Sequence, residues 1–200
     1  MRRIAWLFAA SLVVGSSAPA KSPPTPEDLQ LAAAEAFIDA YYSFDPEALR
    51  SALASAPESS VELLYYQGWA QGGNYKVLDR KPCRVDKPDE VSCAIKVKDD
   101  LIGALGTGYD VTDVFHFAFR DGRVVKVWNS SDDPPEFKAA MDWLRKERPA
   151  IFTGPCHLMY KGGTTPGDCV QAVVKGFAEH RSLSENQEAT RVDSAPARQE

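Results

Sequence analysis

Two carboxylates and an imidazole, Asp110, Asp113 and His116, stand in the most β-prone stretch of the chain. In an extended strand successive side chains alternate between faces, so Asp113 shares a face with Phe115 and Phe117, while His116 lies on the other. A carboxylate set among aromatic rings suits general-base chemistry because burial lifts its pKa toward neutrality, and an imidazole titrates there unaided. Asp113 and His116 are thus the candidate catalytic residues. Each has a plainer alternative: a strand-end carboxylate bonded to a loop, and a hydrogen-bonded core or interface histidine. Tyr65, Tyr66, Trp69 and Trp128 offer aromatic surface for a ligand pocket, with ordinary core packing as the alternative.

Four cysteines, Cys83, Cys93, Cys156 and Cys169, raise the choice between metal and disulfide chemistry. Nine and twelve intervening residues do not match the C-x2-4-C spacing of zinc ligands. Of the three possible pairings the sequence-local one, Cys83 with Cys93 and Cys156 with Cys169, is the simplest, each bond stabilising by roughly 2 to 3 kcal/mol. Asp132 and Asp133 look like a metal pair, but Asp133 reads better as a helix cap, and neither a metal nor a cofactor is expected. Asn129-Ser130-Ser131 is formally a glycosylation sequon, read here as coincidence at a strand end. No G-x-S-x-G, H-E-x-x-H, phosphate-binding loop or dinucleotide fingerprint occurs. Without a reactive constellation, binding is the default expectation.

These residues must be positioned by a modest chain. It has 200 residues, Lys+Arg 23 against Asp+Glu 28, and is 44% hydrophobic and 26% charged, which fits one globular domain with a real core. Arg2 and Arg3, the apolar run Ile4 to Gly15 and Ala18-Pro19-Ala20 read as a secretory signal peptide over residues 1–20. The run is too short to span a bilayer, so no membrane insertion is expected after cleavage. Two arginines leave with it, so 21 basic residues face 28 acidic ones, a net charge of −7. Nucleic acid is therefore disfavoured as a partner, since phosphate neutralisation needs clustered cations. An exported destination, periplasmic or secreted, also suits an even number of cysteines.

Helix starts are marked by a capping residue before proline. Thr25-Pro26, Asp45-Pro46, Asp133-Pro134-Pro135 and Thr165-Pro166 each put a cap oxygen ahead of a first helical residue that needs no N–H partner, and Ser59-Ser60 is a weaker fifth case. The first helix is expected over Pro26 to Phe44, with Leu29, Ala33, Ala36, Phe37, Ala40, Tyr41 and Phe44 on its apolar stripe. Helices are further expected over Pro46 to Ala56, Val61 to Gly72, Pro134 to Arg148 and from Pro166. Asn74 to Val85 and Glu90 to Lys98 flank a turn and form one predicted hairpin. Leu101 to Gly108 is ambiguous. Tyr109 to Arg120 and Arg123 to Ser131 flank Asp121-Gly122, which predicts a tight type I′ turn. That turn pairs Arg120 with Arg123 and puts Phe115, Phe117 and Phe119 on a face with Val124, Lys126 and Trp128; His116 would share the other with Val125, Val127 and Asn129. Both faces are apolar, so the outer one is expected to meet another segment or a second copy, giving a homodimer. Residues 153–180 form a cysteine-bracketed appendix, and 181–200, with few large apolar residues, a disordered tail.

The order of helices and hairpins resembles the NTF2-like superfamily, which includes SnoaL-like cyclases and ketosteroid isomerases. The match rests on Phe37-Ile38-Asp39-Ala40-Tyr41-Tyr42-Ser43-Phe44-Asp45-Pro46-Glu47-Ala48-Leu49 and on Asp121-Gly122-Arg123-Val124-Val125-Lys126-Val127-Trp128, and the chain reads as an exported bacterial member. The resemblance implies an α+β fold over residues 27–152: a cone of strongly bent antiparallel sheet packed on N-terminal helices, with the appendix as a disulfide-tethered addition. It also implies an apolar pocket, which Phe37, Tyr41, Tyr65, Trp69, Phe115, Phe117 and Trp128 would line. Phe37 falls where the isomerases carry their oxyanion tyrosine, and a phenyl ring cannot donate that bond. Tyr41 or Tyr42 supplies a donor one turn on. The expected function is accordingly non-catalytic binding of an apolar small molecule or a protein partner; the alternative is an isomerase- or cyclase-type enzyme with Asp113 or His116 as base.

Overall fold

Thr25 opens α1 (Pro26–Tyr42) with a reciprocal capping box. Its Oγ1 accepts from the Asp28 N–H at 3.1 Å, and the Asp28 carboxylate accepts from the Thr25 N–H at 2.8 Å. The computed structural model describes residues 22–193, so the expected signal peptide at 1–20 lies outside the described residues. Gln30, Ala34, Phe37, Ile38 and Tyr41 form the buried stripe of α1. Leu29, placed on that stripe by its apolar character, is 55% exposed; Gln30 takes the inward place, donating from Nε2 to the Pro88 carbonyl at 3.1 Å. Asp45 caps the short α2 (Pro46–Ala52) by accepting from the Glu47 N–H at 2.9 Å. A 3-10 turn at Pro57–Ser59 leads into α3 (Ser60–Gly72), which buries Leu64, Tyr65, Gly68 and Trp69.

The chain then builds one five-stranded antiparallel sheet. The expected arm from Asn74 to Val85 is two strands, β1 (Lys76–Arg80) and β2 (Arg84–Lys87), both paired with β3 (Glu90–Lys98). The gap holds Pro82, which has no N–H to give to a ladder. Cys83, also in the gap, is bonded to Cys93 on β3. The ambiguous segment after β3 is a helix, α4 (Asp100–Leu105), capped by Asp99 Oδ1 accepting from the Ile102 N–H at 2.9 Å. β4 (Val111–Arg120) and β5 (Arg123–Ser131) complete the order β1-β3-β4-β5.

The β4–β5 turn has positive φ at both Asp121 (51°) and Gly122 (72°), as a type I′ turn requires. Arg120 pairs with Arg123 as expected, but the register then slips: Phe119 faces Val124, and Ala118 faces Lys126. Val125 is the extra residue of a β-bulge. Because side chains alternate, that one residue moves every later position of β5 to the other face. Phe115 and Phe117 therefore share their face with Asn129 and Val127, and His116 pairs with Trp128. The expected grouping of Trp128 with the phenylalanines is corrected accordingly.

The buried face of the sheet carries Val91, Cys93, Ile95 and Val97 of β3 against Phe117, Phe115, Asp113 and Val111 of β4. Helix α1 lies over it. The Phe37 ring meets Phe115 and Phe117 at centroid distances of 5.8 and 5.2 Å, and Tyr41 meets Phe115 at 4.7 Å. Arg80 of β1 pairs with both Glu35 and Asp39 of α1, fastening the helix to the sheet edge.

Helix α5 (Pro135–Glu147) turns Ala140, Met141 and Leu144 inward. It begins without a side-chain cap, and the Asp133 carboxylate instead accepts from the Ser131 hydroxyl at 3.1 Å, which corrects the reading of Asp133 as a cap. Thr165 likewise caps nothing: its buried hydroxyl donates to the Tyr65 carbonyl at 2.7 Å. After α6 (Ala150–Thr153) and an irregular loop, α7 (Gly167–Asp193) packs Val170, Val173 and Phe177 into the core and is held at its start by the Cys156–Cys169 disulfide. The helix continues through residues 181–193, where a disordered tail was expected to begin. Its exposed turns are supported locally, by Arg181 paired with Glu185 at 3.4 Å and by Ser182 and Ser184 hydroxyls donating one turn back. Residues 194–200 of that tail lie outside the described residues. The fold is thus α+β, a five-stranded antiparallel sheet with helices and two disulfides.

Candidate functional site

Where the buried sheet face runs past the end of α1, a cavity of about 270 Å³ opens between β4, β5, α3 and α5. Tyr65, Tyr66 and Trp69 of α3 form one wall, brought together by their spacing on one side of the helix. Phe137, Met141 and the cationic residues Lys138 and Arg145 of α5 form the opposite one. Tyr41, Tyr75, Asp113, Asn129, Ser131 and Asp133 supply a polar floor. Met159 and Tyr160, from the loop closed by Cys156–Cys169, complete the mouth, and Tyr160 stacks on Tyr65 at 4.1 Å.

Asp113 is the most buried carboxyl at this cavity, with 6% of its surface exposed. Tyr42 of α1 donates to its Oδ2 at 3.0 Å. Burial foremost, then the neighbouring carboxylates of Asp133 and Asp99, push its pKa up to about 7, against the opposing hydrogen bonds from Tyr42 and Ser131. Asp99, behind it at the start of α4, is also lifted by burial, to about 6. Burial is likewise the first cause of raised pKa values for Tyr41, Tyr42, Tyr65, Tyr66 and Tyr75, so all five phenols stay protonated and able to donate. A buried carboxyl poised near neutrality beside protonated phenols can hold a cation, accept a proton, or donate one to a bound acceptor.

Of the pocket and catalytic candidates singled out from the sequence, Tyr41, Tyr65, Tyr66, Trp69 and Asp113 meet at the cavity. Phe37, Phe115 and Phe117 do not: 2%, 0% and 0% exposed, they close against one another behind the floor as core. His116 and Trp128 lie on the opposite sheet face, His116 by alternation along β4 and Trp128 as a consequence of the Val125 bulge. There the two rings stack 5.2 Å apart at 14°, with Lys126 Nζ 5.2 Å from the Trp128 ring and Ser130 Oγ 3.3 Å from His116 Nε2. Neither ring lines the cavity: Trp128 is not one of its pocket residues, and His116 is separated from Asp113 by the sheet. Asp110 pairs with Lys96 at 3.4 Å, and Asp132 clasps the strand end, accepting from the Thr112 N–H at 2.6 Å and the Tyr109 hydroxyl at 2.9 Å. Among the described residues, no group of three His, Cys, Asp or Glu side chains is disposed to hold a metal. No described helix is long and apolar enough to cross a membrane.

Tyr75, Asn129, Ser131, Met159 and Tyr160, and the α5 residues Phe137, Lys138, Met141 and Arg145, are lining residues beyond those expected. For Asn129 and Ser131 the signal was the bulge, which no residue type announces. For Met159 and Tyr160 it was their position inside the short cysteine-closed segment, which tethers an aromatic side chain to the helix that carries the pocket. Comparisons with protein-family models, with curated proteins and with solved structures return no match.

Proposed function

We propose that this chain is an exported, NTF2-like domain whose cavity binds a small, partly apolar molecule without transforming it. One observation carries the reading: aromatic walls from α3 and the 154–166 loop converge with a polar floor from β4 and β5 on a single concavity. Its volume of about 270 Å³ favours a ligand smaller than drug size. The two disulfides suit an oxidising compartment. The NTF2-like assignment is supported by three N-terminal helices followed by one antiparallel sheet, with Phe37 and Tyr41 of α1 seated on β4. The test is a thermal-shift screen of small aromatic and aliphatic molecules, followed by titration of Trp69 fluorescence. Binding must raise the melting temperature and be lost in Trp69→Ala or Tyr65→Ala; a screen in which nothing stabilises the folded chain refutes the reading.

The second reading, proton transfer, is favoured by Asp113 alone: a buried carboxyl near neutrality, oriented by Tyr42 and facing a pocket with protonated phenols. Turnover of a small enolisable ketone, abolished by Asp113→Asn, would establish it. Wild-type and variant chains exchanging the α-protons of a bound ketone at the same rate would remove it.

A further inference from the structure

The cavity is unevenly furnished. Its aromatic rings are grouped, Tyr65 lying 6.2 Å from Trp69, 5.3 Å from Tyr66 and 4.1 Å from Tyr160, so one side of the space is a packed aromatic cluster. Its floor carries two carboxyl groups, Asp113 and Asp133, both reaching the cavity. The negative face of an aromatic ring attracts a cation, and desolvation strengthens that attraction. We propose that the occupant is a small organic cation, an ammonium group on an apolar body, held between these rings and the Asp113 and Asp133 carboxylates; this deepens the small-molecule reading and rests on it.

The protein leaves the charge of that floor open. Among the described residues no ion pair reaches Asp113 or Asp133, and Asp113, the buried one of the two, needs a counter-charge to remain ionised cheaply. The two cationic side chains of the lining, Lys138 and Arg145, are exposed and are engaged by Asp142 on their own helix, at 2.5 and 3.0 Å. Neither is paired with Asp113, and an ammonium group supplies the missing positive charge. Five groups from four other parts of the chain face Asp113: Tyr41 and Tyr42 of α1, Tyr75 ahead of β1, Asp99 ahead of α4, and Asp133 after β5. None is cationic. Cation binding is therefore expected to tighten as pH rises from 6 to 8 and Asp113 ionises, whereas a ligand that accepts a proton-bearing hydrogen bond from Asp113 would weaken over the same range.

The experiment titrates the folded, oxidised chain at pH 8 with choline and, in parallel, with 3,3-dimethylbutan-1-ol, its neutral isostere. NMR shifts of the Trp69 indole and the Tyr65 ring report occupancy. Choline binding at least about tenfold tighter than the alcohol, with Asp113→Asn erasing most of that ratio while leaving the alcohol's affinity in place, is the expected result. Thermal melting of Asp113→Asn checks that the variant is folded, and Tyr65→Leu serves as an independent variant that removes a π face without touching charge. Equal affinity for the two probes, or a ratio indifferent to Asp113→Asn, overturns the cation inference and leaves the pocket reading standing. Silence from both probes while neutral apolar molecules stabilise the chain does the same. Silence from every molecule refutes both.

Discussion

The Tyr42 hydroxyl donates to the Asp113 Oδ2 atom at 3.0 Å, joining the last turn of α1 to the start of β4. The bond orients a carboxyl that is 6% exposed and whose pKa is pushed up to about 7 by burial.

That shift fixes the sign of a pH effect on stability. A carboxyl with a raised folded pKa binds its proton more tightly in the folded chain than in the unfolded one. Its contribution is fully present below about pH 4 and is lost as pH rises through about 7, on the order of 4 kcal/mol in all. Asp99, lifted to about 6, acts in the same direction. Asp113→Asn keeps a carbonyl for Tyr42 and removes the ionisation. The variant is expected to melt at a higher temperature than the parent at pH 8 and to converge with it at pH 4, and an identical difference at both pH values would refute the assignment.

A second link, between Ser59 and Val127, bears on the exposed side of β5. β5 is the last strand of the sheet, and the Val127 N–H is met there by the Ser59 hydroxyl, which accepts at 3.0 Å in a buried setting. Ser59→Ala leaves that N–H without a partner and is expected to cost about 1–3 kcal/mol. Ser59→Thr, which keeps the acceptor, recovers most of it. Urea unfolding with an unchanged slope measures the loss, and Ala and Thr variants of equal midpoint would show that the bond contributes nothing.

The parts of the fold readable from the sequence are those with local chemical signatures. Thr25 and Asp45 open helices because a short polar side chain beside proline satisfies the orphan N–H groups there. Asp121-Gly122 makes its turn because both residues tolerate positive φ. Asp113 reached the cavity by parity on a single strand. What escaped depends on tertiary balance. The bulge at Val125 is written in an ordinary β-branched residue, yet it decides that Asn129 and Ser131, not Trp128, join Asp113. Asp133 sits where a cap would, but its carboxylate is engaged by Ser131 instead. Helix α4 is short and carries glycine, so its periodicity is faint, and it forms because Asp99 caps it and Leu101 and Ile102 are buried.

The two disulfides make separate contributions. Cys83–Cys93 and Cys156–Cys169 close segments of 10 and 13 residues, and all four sulfurs are engaged. Thiol titration of the unfolded, unreduced chain is expected to detect no free thiol. Replacing both Cys156 and Cys169 by Ser should lower stability by about 3 kcal/mol and weaken any cavity ligand, since this bond anchors the loop bearing Tyr160. Neither Cys83 nor Cys93 lines the cavity, so removal of that bond should lower stability without altering affinity per folded molecule. Equal losses of affinity in the two double variants would break the connection between the 154–166 loop and the pocket.

Gly68 and Gly103 predict opposite outcomes for the same chemical change. Both sit in helices, where alanine is intrinsically favoured by about 1 kcal/mol. At Gly103 an added Cβ meets nothing within 4 Å, so Gly103→Ala is expected to raise stability by up to about that amount. At Gly68 the Cβ would stand 2.4 Å from the Thr165 nitrogen and 2.7 Å from its carbonyl oxygen. Backbone cannot swing aside as a side chain would. Thr165 must retreat, which strains its hydroxyl bond to the Tyr65 carbonyl and draws the loop carrying Tyr160 away from the α3 wall. Overpacking of this kind outweighs the propensity gain, so Gly68→Ala should lose about 1–3 kcal/mol net and expose the Tyr65 ring. Paired thermal melts give the two signs, and hydrogen exchange across residues 154–166 locates the second effect. A stabilised Gly68→Ala, or one destabilised with that loop's protection unchanged, would mean that α3 and the loop do not hold the mouth of the cavity together.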